Sequence, residues 1–197
     1  SNGRSLVDVI LAETPKLKAS VVGPAADLES KPDGRVSVEP TPVDELVNLG
    51  PVDLVTALDA FDRAADFPAL VNAVHDVLAP GGVLFATLLM ASGFEIQSLW
   101  DRSPSVLPPD KLNLPTVNGL LQAFASPSWE VLELSTPGMF DVEIVRRTIA
   151  DLPDAPWPRV LRALVEETDT EKQERFMEYL QSRRLSSFAR LVVRRAD

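Results

Sequence analysis

The chain of 197 residues has no cysteine and a single histidine. The first absence removes disulfides, thiolate metal ligands and thiol nucleophiles in one step. His75, standing alone, has no second imidazole or thiolate with which to hold a metal, so no metal site is expected. Glycine is scarce too: there are nine in all, and none falls between Gly3 and Gly23. A nicotinamide dinucleotide, which needs a glycine-rich turn after a first strand, finds none near the start of the chain. No apolar run reaches the roughly eighteen residues that a membrane span requires. Positive charge is also short, with 19 Lys and Arg against 29 Asp and Glu and a formal net charge of −10. Nucleic-acid binding, which depends on Lys and Arg neutralising phosphates, is therefore disfavoured. The deficit is uneven, with 8 basic against 20 acidic residues in 1–145 and 11 against 9 in 146–197.

What is present describes a soluble globular chain of one domain, 1–197, with 45% hydrophobic and 24% charged residues. The length suffices for one substantial core and falls short of two comfortable domains. Ser1-Asn2-Gly3 is read as a remnant of cloning, no secretory leader is read, and the cytoplasm is the default compartment.

The chain is organised around residues 52–89. Val52, Leu54, Val55, Ala57 and Leu58 form a short, partly β-branched apolar run that suits a strand buried on both faces of a parallel sheet. Asp66 then predicts a helix N-cap, with Pro68 tolerated in the first turn. Phe67, Leu70, Val71, Val74, Val77 and Leu78 recur at helical spacing, and Ala79-Pro80-Gly81-Gly82 ends the helix before an apolar strand over 83–89. Two parallel strands joined by a helix form a right-handed crossover. His75 falls about 100° from the centre of the apolar stripe, a flank position with no catalytic role.

The run D-L-V-T-A-L-D-A-F-D-R-A-A-D-F-P, followed by the amphipathic helix and V-L-A-P-G-G-V-L-F-A-T, closely resembles the fourth strand, fourth helix and fifth strand of class I S-adenosylmethionine-dependent methyltransferases. LPTVNGLLQAFASPSWEVLELSTPGMFDVEIV looks like the next helix, sixth strand and Pro-Gly turn of that family, and LSSFARLVVRR like its last strand. The resemblance covers roughly residues 36–195 in order. It implies a Rossmann-like α/β fold with a mostly parallel seven-stranded sheet, an antiparallel edge strand and S-adenosylmethionine as cofactor. Its expected strands are 6–9, 21–23, 36–38, 52–58, 84–88, 131–134 and 189–193. Residues 90–115 correspond to a lid on the acceptor side.

Carried over residue by residue, the resemblance puts Asp8 and Val9 at the end of the first strand and Gly23 at the end of the second. Leu58 and Asp59 stand at the end of the fourth. These are the candidate cofactor contacts, at the carboxyl ends of strands where the sheet order reverses. Asp59 and Arg63 are the candidate catalytic residues: Asp59 is weighed against a cap or surface carboxylate, and Arg63, as an anchor for an anionic acceptor, against surface pairing with Asp59, Asp62 or Asp66. The departures lie in the cofactor half. Ile10 and Leu11 stand where the family has bare glycine backbone, and Pro24 follows Gly23 where the family carries a ribose-binding carboxylate.

The remainder predicts a helix over 116–124, a strand over 129–134 with Leu132 among its inward candidates, and a helix capped by Asp141. Two further amphipathic helices follow, the second opened by a capping box at Thr170-Glu171-Lys172-Gln173. Their apolar faces suit packing on the sheet, on a second copy of the chain or on a protein partner. Two functions stay open: a methyltransferase with a small-molecule acceptor, reminiscent of surface-sugar pathways through TPGMFDVEIV, or a non-catalytic interaction module on the same fold.

Overall fold

Short parallel strands build one edge of a mixed sheet in the computed structural model, which describes residues 19–22, 36–37, 46, 48 and 50–196. They are β1 (Ala19–Val22), β2 (Val36–Ser37) and β3 (Val52–Leu58), followed by helix α1 (Phe67–Val77) and β4 (Leu78–Leu89). Next come α2 (Phe94–Leu99), α3 (Val117–Ala123), β5 (Trp129–Ser135) and α4 (Asp141–Asp151). The chain then forms α5 (Arg159–Glu166), α6 (Thr170–Ser182) and β6 (Phe188–Arg195). The described strands lie in the order β2-β1-β3-β4-β6-β5.

β1 to β4 pair in parallel, whereas β6 runs antiparallel to both β4 and β5. The expected antiparallel edge strand is thus one place in from the edge, and β5 closes the sheet. The candidate strand 6–9 lies outside the described residues, so six strands are seen and not seven. β1, read from sequence as the second strand, is the direct neighbour of β3, with Ala19 opposite Leu54 and Val22 opposite Ala57. The order reverses between β1 and β3, which is where open α/β sheets bind ligands.

The central crossover forms as its pattern predicts. Asp66 accepts a hydrogen bond from the Ala69 amide at 2.9 Å, Pro68 sits in the first turn, and Leu70, Val71, Val74 and Val77 turn their sides to the core. Full burial of each such side chain contributes about 1.5–3 kcal/mol. The turn after α1 differs from expectation, because Ala79-Pro80-Gly81-Gly82 belongs to a β4 that already begins at Leu78. The pairing of β3 with β4 shifts register between Val52 and Leu54, which accommodates the extra residues as an irregularity. Arg195, from the end of β6, donates to the carbonyls of His75, at 3.0 Å, and of Leu78, so a cation meets the C-terminus of α1.

The main core lies between α1, the sheet and α3. Phe61, Phe124 and Trp129 stack edge to face in sequence, and Trp129 also meets the His75 ring at 5.2 Å. In β5 a bulge between Val131 and Glu133 leaves Leu132 46% exposed, so Leu132 is not an inward residue. A second, smaller core joins Leu99, Val145, Ile149, Trp157 and Leu161. The N-cap of α6 is Asp169, whose carboxylate accepts from the amides of Glu171 and Lys172, so no capping box opens at Thr170. In α5, Leu161 is buried and Val160 is 71% exposed.

Gly93, just before α2, fits because it has no side chain: a Cβ there would lie 2.1 Å from the Ser187 Cα. Backbone on both sides cannot give way cheaply. Gly93→Ala is expected to destabilise the protein by about 2–3 kcal/mol, read as a lower midpoint in urea. An unchanged midpoint would contradict this packing.

Candidate functional site at the carboxyl end of the central strands

Beyond Leu58 the chain leaves β3 through Asp59, whose φ of 52° is left-handed, a conformation that short polar side chains tolerate best. The Asp59 amide donates to the Thr87 carbonyl at 2.9 Å, and the Thr87 hydroxyl donates to Asp59 Oδ1 at 3.0 Å. Neighbouring strands are thereby tied together at their carboxyl ends. The Asp59 side chain is 41% exposed. Thr87 was not among the sequence candidates; its only signal is a hydroxyl inside the apolar run VLFATLL.

Arg63 is committed elsewhere. Its Nε donates to Asp110 at 2.9 Å and its Nη1 to the Asp59 carbonyl at 3.1 Å, with Asp59 Oδ2 3.7 Å away. Asp110 raises the Arg63 pKa further above its ordinary value, and Arg63 in turn holds the Asp110 carboxyl below the usual range. The guanidinium thus lies in a surface pairing, with Asp110 as the partner that the sequence reading did not name.

The most buried ionisable group of the loop is Asp62, fully enclosed. Lys111 donates to its Oδ2, the Leu89 amide reaches the same oxygen at 3.4 Å, and Oδ1 has no hydrogen-bond partner. Burial raises the Asp62 pKa, and Lys111 offsets part of that rise. The backbone is stitched to the same segment: the amides of Leu112 and Asn113 donate to the Asp62 carbonyl at 2.7 and 3.0 Å. The Asn113 side chain donates to the carbonyls of Phe61 and Ala64 at 3.1 and 2.6 Å. The lid segment therefore clasps the loop after β3. Asp62, expected among the surface partners of Arg63, is instead buried against Lys111.

Asp8, Val9 and Gly23 lie outside the described residues, whereas Leu58 and Asp59 are half-buried at the end of β3. The structure brings Leu58, Asp59 and Arg63 together and adds Thr87, Asp62, Asp110 and Lys111. His75 sits at the other side of α1 against Trp129, away from this cluster. Among the described residues no group of three His, Cys, Asp or Glu side chains is placed to hold a metal, and no helix is long and apolar enough to cross a membrane.

No protein-family model matches the sequence, and no curated protein matches it. Solved structures do. A protein from Galdieria sulphuraria described as a sarcosine dimethylglycine methyltransferase shares 14% identity, with a TM-score of 0.51 over 96% of this chain and 83% of its own. The [4+2]-cyclase SpnF shares 15% identity, with a TM-score of 0.46 over 83% of this chain and 57% of its own. A cyclopropane synthase from Mycobacterium tuberculosis shares 15% identity, with a TM-score of 0.44 over 85% of this chain and 63% of its own. The chain thus spans less than two thirds of the length of two of these structures. Together with the sheet order and the reversed β6 hairpin, the likeness to the Galdieria protein identifies the fold: this chain has the α/β fold of class I S-adenosylmethionine-dependent methyltransferases.

Proposed function

We propose that this is a methyltransferase-like protein of the S-adenosylmethionine-dependent class that keeps the acceptor side of the fold and has lost tight cofactor binding, acting as a binding or assembly module. The observation that carries this reading is the inward commitment of the loop after β3. Asp59 is engaged by Thr87 and Arg63, and Asp62 by Lys111, so this loop turns its carboxylates to partners within the chain. After β1 the sequence offers Gly23 alone, followed by Pro24, in place of a glycine-rich loop. The residues present do not fit S-adenosylmethionine as the family holds it.

A second reading, an active enzyme on a small-molecule acceptor, draws support from Asp59. Its carboxylate is oriented by Thr87 and solvent-accessible at the end of β3, where it can accept a hydrogen bond from an acceptor hydroxyl or amine. Thermal melts with S-adenosylhomocysteine separate the two. At about 1 mM ligand, a millimolar site stabilises the fold by a few tenths of a kcal/mol and moves Tm by about 1 °C, whereas a site near 5 μM adds about 3 kcal/mol and moves it by about 6–12 °C. The first outcome is expected, and the second would return the chain to the active enzymes.

A further inference from the structure

A cavity of about 380 Å³ opens between the end of β4, the start of α2 and the turn before α4. Its size lies within the range of small-molecule sites, about 300–1,000 Å³. Leu89, Ile144, Met139, Phe140 and Phe188 supply its apolar walls, and no Lys or Arg lines it. Met139 and Phe140 are 69% and 71% exposed at its mouth.

Two buried carboxylates, Glu95 and Asp141, each 3% exposed, also line the cavity. They differ in how they are satisfied. Asp141 accepts from the Ser187 amide and the Ser186 hydroxyl, both at 2.6 Å, and from the Glu95 amide at 3.5 Å. Its oxygens are taken, and with Ser187 Oγ it also occupies the amides at the start of α2, so an anion finds no donors there. Glu95 accepts one hydrogen bond, from the Ser103 hydroxyl at 2.6 Å to Oε1, and no described group donates to Oε2. Among the described residues neither acid has a basic partner within ion-pair distance.

We propose that this cavity binds a small amphiphilic amine, its ammonium on the free oxygen of Glu95 and its apolar body against Leu89, Ile144 and Phe188. A buried carboxylate without a cation gains more from an ammonium than from a neutral donor, because burial has already removed most of its water. The proposal rests on the reading that the acceptor side is the part retained, and it specifies that side's ligand class.

The test uses the full chain without added cofactor. Phenylbutylamine is titrated calorimetrically beside its isosteres phenylbutanol and phenylbutyrate. The amine is expected to bind at least about tenfold more tightly than the alcohol, and the carboxylate not measurably. Glu95→Gln, which keeps an acceptor for Ser103, is expected to erase the amine's advantage while leaving the alcohol's affinity unchanged. Because that variant risks misfolding, methyl NMR of the wild-type chain supplies an independent readout, with shifts expected at Leu89, Ile144 and Met139. Equal affinity for amine and alcohol, no binding of the amine, or shifts confined to other methyl groups would overturn the proposal. Tight S-adenosylhomocysteine binding with the amine result intact would overturn the reading of lost cofactor binding and leave this site standing.

Discussion

Replacing Lys111 by Met is expected to cost about 3–5 kcal/mol of stability, because it strands the Asp62 carboxylate in the interior without its cation. Asp62 is fully enclosed and the Lys111 side chain is only 11% exposed, so water cannot take the partner's place. The pH dependence follows from the raised Asp62 pKa. The folded state holds this proton more tightly than the unfolded chain does, so ionisation weighs against folding. That penalty is absent below the unfolded carboxylate pKa and grows as pH rises through the folded one. Removing Lys111 takes away the main group that lowers the pKa, so the variant's deficit in Tm should be greatest near neutral pH and shrink toward pH 4–5. Adding Asp62→Asn to Lys111→Met should recover most of the loss and flatten the profile. A Lys111→Met variant as stable as the wild type at pH 7 would mean that the lid is not held by this pair.

Asp141→Ala is expected to cost about 4 kcal/mol for a different reason. The sequence pattern predicts Asp141 as the cap of its own helix, but α4 has Phe140 at that position and Asp141 is its first residue. Its carboxylate instead serves the Ser186 hydroxyl and the Ser187 amide, two donors that would be left buried and unsatisfied at about 1–3 kcal/mol each, and it reaches the start of α2, whose Glu95 amide keeps Ser187 Oγ. Asp141→Asn keeps one acceptor oxygen but turns a second donor toward these groups, so it should lose about half as much. Chemical denaturation of both variants measures the difference. Equal stability of wild type and Asp141→Ala would mean that this carboxylate does not join α2, α4 and β6.

These two residues mark the boundary of what was legible in the sequence. The strand, helix and strand of residues 52–89 were readable because their apolar periodicities are long and uninterrupted, and the Asp66 cap because its partners lie within one turn. Asp62 and Asp141 were not readable as buried groups, since their partners stand 49 and 45 residues away, at Lys111 and Ser186. The pairing of β1 with β3 has no local signature for a related reason. Alternation of strands and helices gives their sequence, while neighbourhood in the sheet is set by long-range pairing that leaves no local pattern. Phe61, in the loop after β3, is 1% exposed, because its ring packs against Phe67 and Phe124. Asp59 and Arg63 were found by resemblance to a family loop, but their commitments to Thr87 and Asp110 needed three-dimensional neighbours.

On the proposed reading, the fold persists while the cofactor crevice has turned its polar groups inward. Each lost hydrogen bond to a charged or hydroxyl group weakens a site by about 1.5–3 kcal/mol, so losing two or three moves a micromolar site to the millimolar range or beyond. Isothermal titration of the purified chain with S-adenosylmethionine measures this directly. No saturable heat, or a Kd in the millimolar range, is expected, and a Kd in the low micromolar range would contradict the loss of cofactor binding.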